Sequence, residues 1–476
     1  MVVHDERGDG GARGGAGWAL AAGSRVAGHA IYLGTLPGRG AAFAPPEHGA
    51  LVLGPPRSGK TTGIVVPNVL AAAGSVLAAS TKPDVLLATS PGRRALGRCM
   101  LFDPSGTTPP PAGVDVVGWS PLAGAHSWDA AVLTAEAMVG AARPGGERGE
   151  SAHWTERSGA LLACVLHAAA LDGASLDVAV SSVNRHDGDR FSAVLSRSGA
   201  GMAHDLLAGI LETDGREQSG IWSTLSGVLS CYRTTRALES ARARPLDAAR
   251  FADEPATLYV ASDAEHQRHA APVVAGLVRH VRSASYAMAA REAAASGASA
   301  RRAPVLLVLD ELAGIAPLHD LPSLVAEGAS QGVLTLACLQ DLSQARARWG
   351  AASDGFLTLF GAKIVLRGLA DARTLDALAL LAGDEEVVRT TTTVPLGLSG
   401  RLRSTRSRTS ERVRRLPPDA IAGIPKGSAL VFLGGQPFRV ALDPVGRGLT
   451  VQGTSVVTRA PGPRVHRLPP GRGLAR

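Results

Sequence analysis

Two glycines, a lysine and a hydroxyl stand at fixed intervals in Gly54-Pro55-Pro56-Arg57-Ser58-Gly59-Lys60-Thr61. This is G-x-x-x-x-G-K-[ST], and its chemistry is phosphate binding. Gly54 and Gly59 let the backbone wrap an anion, so that successive N–H groups of Arg57, Ser58, Gly59, Lys60, Thr61 and Thr62 point inward. A helix beginning near Gly59 adds its positive end. Lys60 then reaches the β- and γ-phosphates of a triphosphate, and the Thr61 hydroxyl joins the shell of a magnesium ion. The residues describe a P-loop ATPase using ATP and Mg2+.

A second run, Leu306-Leu307-Val308-Leu309-Asp310-Glu311, is an apolar strand ending in two carboxylates. Beside a phosphate loop, Asp310 suits ordering the magnesium ion and Glu311 suits activating water. Thirty residues after Asp310, the apolar stretch Leu334–Leu339 ends in Gln340. That interval holds a strand, a helix and a neighbouring strand, which would bring Gln340 to the γ-phosphate. The expected catalytic set is Lys60, Glu311 and Gln340.

These groups need a parallel sheet whose strand ends converge. The apolar stretches Ala50–Leu53, Ser75–Ala79 and Arg98–Asp103, with a helix from Gly59 to about Ala73, read as a βαβαβ beginning. Further strands are expected at Ala256–Ala261, Val305–Leu309, Leu334–Leu339, Ala362–Arg367 and Ala429–Leu433. From Ser151 to about Ser240 the pattern is helical and rich in Ala and Leu, so the fold class is α/β with an all-helical insertion. The expected division is a disordered segment 1–27, a nucleotide-binding part 28–125, the helical insertion 126–245, a second nucleotide-binding part 246–458, and a basic flexible tail 459–476.

Composition bounds the partners. Net charge is +8, and arginine dominates the cations because Lys60, Lys82, Lys363 and Lys426 are the only lysines. Such an excess suits a polyanion, and a compositional bias toward arginine accounts for it equally well. The segment 389–415 carries eight arginines, among them Arg401, Arg403, Arg406 and Arg408, against the single acid Glu411. It reads equally as a loop tracking the backbone of single-stranded DNA without sequence preference and as a solvated surface loop. The four cysteines have no metal-ligand spacing and sit in apolar stretches, so buried free thiols are expected. His266 and His269 lack further ligands at suitable spacing and read as polar surface residues, as does His153. No stretch reads as a secretory signal or a membrane span, so a cytoplasmic chain is expected, held at the membrane by its partners.

The run from about Gly28 to Val440 resembles the TraG/TraD-like type IV coupling proteins, conjugation ATPases related to FtsK and HerA. Besides the two nucleotide motifs and Gln340, the resemblance rests on Pro67-Asn68-Val69-Leu70, Ser80-Thr81-Lys82-Pro83-Asp84, Trp119-Ser120-Pro121-Leu122 and His153-Trp154. It implies a RecA-like motor interrupted by the helical domain and assembled as a hexamer. It also implies ATP-driven delivery of a DNA–relaxase complex to a type IV secretion channel. Two departures stand out. The family's usual membrane anchor is not seen, and Glu327-Gly328-Ala329-Ser330-Gln331-Gly332 lacks the arginine that often acts on a neighbouring subunit. Arg346 and Arg348, just after Gln340, read either as substitutes acting at a subunit interface or as surface-helix arginines. Other readings are a HerA/FtsK-like or type VII secretion-like translocase with other cargo, and a recruiting paralogue that hydrolyses little ATP.

Overall fold

The computed structural model describes residues 28–143, 150–263, 265–296, 302–393 and 405–442. The expected disordered segment 1–27, the tail 459–476, and Arg401 and Arg403 lie outside these described residues.

Fourteen strands are present: β1 (Tyr32–Leu36), β2 (Gly40–Phe43), β3 (Ala50–Leu53), β4 (Val76–Ser80), β5 (Arg98–Phe102), β6 (Asp115–Val116), β7 (Ala256–Ala261), β8 (Val305–Leu309), β9 (Val333–Leu339), β10 (Ala362–Leu366), β11 (Asp384–Thr393), β12 (Thr405–Arg414), β13 (Ser428–Leu433) and β14 (Gln436–Ala441). Twelve of them form one sheet in the order β2-β1-β14-β13-β10-β3-β9-β8-β4-β7-β5-β6. From β10 to β6 every pairing is parallel. From β2 to β13, and between β13 and β10, every pairing is antiparallel.

From β10 to β7 in the sheet the strands are buried along their length and covered on both faces, which explains why they are mostly apolar. In β3, Leu51 and Leu53 enter one core while Ala50 and Val52 enter the other. This two-residue alternation divides β8 likewise, with Leu307 and Leu309 on one face and Leu306 and Val308 on the other.

Between β6 and β7 the described residues form helices, the longest being Glu150–Leu171. The helices starting after Ser127, Asp187, Asp214 and Thr234 are capped by those side chains, each accepting a backbone N–H. Their apolar faces do not form a separate core. Leu161, Leu207 and Trp222 share one continuous cluster with Leu51 and Leu307 of the sheet.

Three expectations are corrected. The helix after the Gly-rich loop is not one regular α-helix: Thr61–Val65 is a π-turn, followed by α-helix Val66–Ala71. Pro67 has no N–H to return to the preceding turn, and the ladder widens so that the Val66 N–H reaches Thr61 O. The segment 389–415 is not a plain loop, because β11 and β12 pair in continuous register from Asp384↔Arg414 to Thr393↔Thr405. Threonine and arginine are the commonest residues of the two strands and tolerate an extended, solvated ribbon. The strands β1, β2, β6 and β14 were not expected either. They are short or polar: β2 pairs with β1, β6 with β5 and β14 with β13, while β1 joins the sheet through β14, remote in sequence.

Candidate nucleotide-binding site

The loop from Gly54 to Lys60 joins the end of β3 to the π-turn. A Cβ on Gly54 would lie 2.6 Å from Ser58 Oγ and 2.8 Å from Leu366 Cβ, so only glycine fits. Gly59 has φ +100° and Arg57 φ +64°, both left-handed. A non-glycine residue held there belongs to the alternating backbone that turns consecutive N–H groups to one side.

Lys60 Nζ donates to Gly54 O and, at 3.1 Å, to Pro55 O. The ammonium therefore folds back over the mouth of the loop. Ser58 Oγ is buried and has no hydrogen-bond partner among the described residues. Such an orphan is costly unless a ligand oxygen meets it, and it lies in the cradle where a phosphate would sit. A triphosphate therefore fits these residues.

The strand order brings the second motif alongside. β9 pairs with β3 on one side and with β8 on the other, all parallel, so their C-terminal ends share one edge. Gln340 follows β9, and Asp310 and Glu311 follow β8. Thr61 Oγ1 is 3.3 Å from both Asp310 Oδ1 and Oδ2. Ser80, at the end of β4, donates to Asp310 Oδ2 at 3.1 Å. A hydroxyl and a carboxylate meeting beside a phosphate cradle form an oxygen-donor set suited to magnesium.

Burial raises the Asp310 carboxyl above its ordinary pKa, while Ser80, Thr61 and Lys60 pull the other way. Burial likewise raises Glu311, with Lys60 opposing and Asp310 adding to the rise. Both acids are thus raised by burial and opposed by the Lys60 ammonium, joined at Glu311 by that of Lys82.

Gln340 is half-buried, and its backbone N–H donates to Gln344 Oε1 at 2.9 Å. Thr62 is exposed beside the loop. Arg346 is bound within the chain to Asp371 at 2.8 Å, and Arg348 donates to Ala141 O. Both guanidiniums are thus engaged within the single chain. Desolvation at Arg348 lowers its pKa. The ribbon holds Arg408 exposed, and Arg406 is a residue of β12.

His266 accompanies Asp263 at 2.8 Å and His153 accompanies Glu217 at 3.0 Å. Among the described residues no group of three or more His, Cys, Asp or Glu could hold a metal ion. The four cysteines are buried and free.

Two contributions escaped the motif reading. Ser80 was singled out only as part of an element, yet it positions Asp310. Asn68 is buried and bonds three ways: Nδ2 to Tyr32 O and Ile64 O, and Oδ1 from the Tyr32 N–H. It ties the phosphate-loop helix to β1.

Residues 304–426, which run from β8 through the ribbon, match the family model described as the TraM recognition site of TraD and TraG. That stretch of the chain is TraG/TraD-like.

Solved structures add a likeness in fold. The unbound bacterial conjugative coupling protein TrwBdeltaN70 superposes with a TM-score of 0.65 at 19% identity, covering 85% of this chain and 87% of that one. The plasmid coupling protein TrwB in complex with the ATP analogue ADPNP gives 0.62 at 19% identity, covering 84% and 86%. TrwB in complex with ADP and Mg2+ gives 0.62 at 19% identity, covering 83% and 85%. The fold is therefore the RecA-like P-loop type. No curated protein sequence matches this chain.

Proposed function

We propose that this protein is an ATP-hydrolysing coupling protein that brings DNA, or a DNA–relaxase complex, to a membrane channel of the type IV secretion class. The observation that carries the nucleotide half is the contact of Thr61 with Asp310 beside Lys60 and Glu311. Bound magnesium would supply Lewis-acid charge neutralisation on the β- and γ-phosphate oxygens. Thr61 and Asp310 hold that ion, and the N–H groups from Arg57 to Thr62, with Gly54 giving the loop room to turn, cradle the phosphates. Lys60 leaves the Gly54 and Pro55 carbonyls to meet the γ-phosphate. Glu311 takes a proton from the attacking water, and Gln340 orients it.

In this reading residues 28–125 and 246–458 form one motor and 126–245 its helical insertion. Six copies form a ring. Arg408 and Arg406 on the ribbon, with Arg401 and Arg403 in the connection between its strands, meet the DNA backbone. The stretch 304–426 supplies a surface for a relaxosome protein of the TraM kind, because the matching family model carries that description. No helix among the described residues is long and apolar enough to cross a membrane. In this reading partners hold the protein at the membrane.

The second reading is a recruiting module with little hydrolysis. It is favoured by the engagement of Arg346 and Arg348 within the chain. ATP turnover measured with and without single-stranded DNA, at two salt concentrations, separates the two. A motor shows several-fold stimulation by DNA, lost in Lys60→Ala. Background turnover with retained binding of a relaxosome protein identifies the recruiting module.

A further inference from the structure

Sheet order dictates which way a triphosphate lies in this site. Glu311 and Asp310 follow β8, which stands on one side of β3, while β10, β13 and β14 stand on the other. With the γ-phosphate at the carboxylates, the α-phosphate and its nucleoside leave the loop on the opposite side, past the exposed Thr62.

A side chain from the far end of the chain waits there. β14 is antiparallel to β13, and β13 is antiparallel to β10, which is parallel to β3. β14 therefore runs in the direction of β3, and its C-terminal end reaches the edge that carries the phosphate loop. The next residue, Leu442, lies over the first turn of the phosphate-loop helix. A Cβ placed on Gly63 would meet Leu442 Cβ at 3.1 Å and Cδ1 at 3.2 Å, and one on Gly59 would meet Cδ1 at 3.9 Å. The Leu442 N–H is already given to Gly427 O at 2.8 Å. What remains to offer is an apolar, half-buried side chain.

We infer that Leu442 is the base-packing residue of the nucleotide site, an apolar wall that accepts a purine by contact area and does not read its edge. This rests on the proposed ATP reading and deepens it. An alkyl side chain discriminates by size, since it holds no donor or acceptor to tell the 6-amino group of adenine from the 6-oxo group of guanine. Gly63 belongs to the same device, because any side chain there would displace Leu442.

The test is equilibrium binding of Mg-ATP, Mg-GTP and inorganic tripolyphosphate to the full chain, to Leu442→Ala, to Leu442→Met and to Lys60→Ala. Leu442→Ala should weaken ATP and GTP alike, by roughly tenfold from the lost apolar contact, and leave tripolyphosphate unchanged. Leu442→Met should restore most of the nucleotide affinity. Unchanged ATP affinity in Leu442→Ala, with ATP binding lost in Lys60→Ala, overturns the inference and leaves the nucleotide reading intact. Equal weakening of tripolyphosphate overturns it too, since Leu442 would then only shape the loop. A wild-type chain that binds neither ATP nor tripolyphosphate removes both readings.

Discussion

Thr61 Oγ1 lies 3.3 Å from both carboxylate oxygens of Asp310, although 249 residues separate the two in sequence. The hydroxyl sits on the first turn after the phosphate loop and the carboxylate at the end of β8, two strands away in the sheet. Their meeting point is where a magnesium ion would be held. Thr61→Ala should therefore lower magnesium-dependent ATP affinity by about 10- to 100-fold, while Thr61→Ser retains it. Titration of nucleotide with and without EDTA reads this directly. Equal affinity of wild type and Thr61→Ala in magnesium would remove Thr61 from the ion's shell.

Glu311 is assigned to water activation and not to binding. Glu311→Gln should keep ATP affinity within a few-fold and lose hydrolysis by about 10²- to 10⁴-fold. Burial raises the Glu311 pKa, so activity should fall as pH drops, beginning above the ordinary glutamate value of about 4.3. The acid limb should disappear in the residual activity of Glu311→Gln. An unaltered pH profile in that variant would assign the limb to another group.

Asp310 makes a stability prediction of its own. Burial raises its folded-state pKa, so the folded chain holds the proton more tightly than the unfolded chain does. That contribution is full below the unfolded value near 3.9 and is lost as pH rises through the raised folded value. At neutral pH the ionised, desolvated carboxylate therefore costs stability. Asp310→Asn should raise the Tm at pH 7 without magnesium, and the gain should shrink toward acid pH. A Tm that drops at pH 7 would mean that the hydrogen bonds from Thr61 and Ser80 outweigh desolvation.

Asn68 connects the phosphate-loop helix to β1 through three hydrogen bonds. Asn68→Ala removes these three buried hydrogen bonds, at a cost of about 1–3 kcal/mol. Denaturant unfolding should show this as a lower midpoint with unchanged slope. Asn68→Asp should do no better, since a carboxylate cannot donate to Tyr32 O and Ile64 O. Stability equal to wild type in both variants would sink the assignment.

The local motifs were legible because each is a contiguous string under its own physical constraint. Gly54 and Gly59 are needed by a backbone that turns tightly, and the uninterrupted apolar strands Ala50–Leu53, Ala256–Ala261 and Val305–Leu309 are needed by a sheet covered on both faces. The long helical stretches announced themselves through alanine- and leucine-rich runs.

Other features depend on where remote segments land. Whether β14 joins the sheet, and therefore whether Leu442 covers Gly63, depends on two antiparallel pairings beyond β10. Ser80 became a partner of Asp310 only when β4 was placed next to β8. Arg346 found Asp371, and Arg348 found Ala141, on elements that its own helix does not announce. Periodicity reports which face of an element is apolar, and a glycine reports where the chain must bend. Neither reports which distant partner satisfies a polar group, because that choice is made by packing the whole sheet at once.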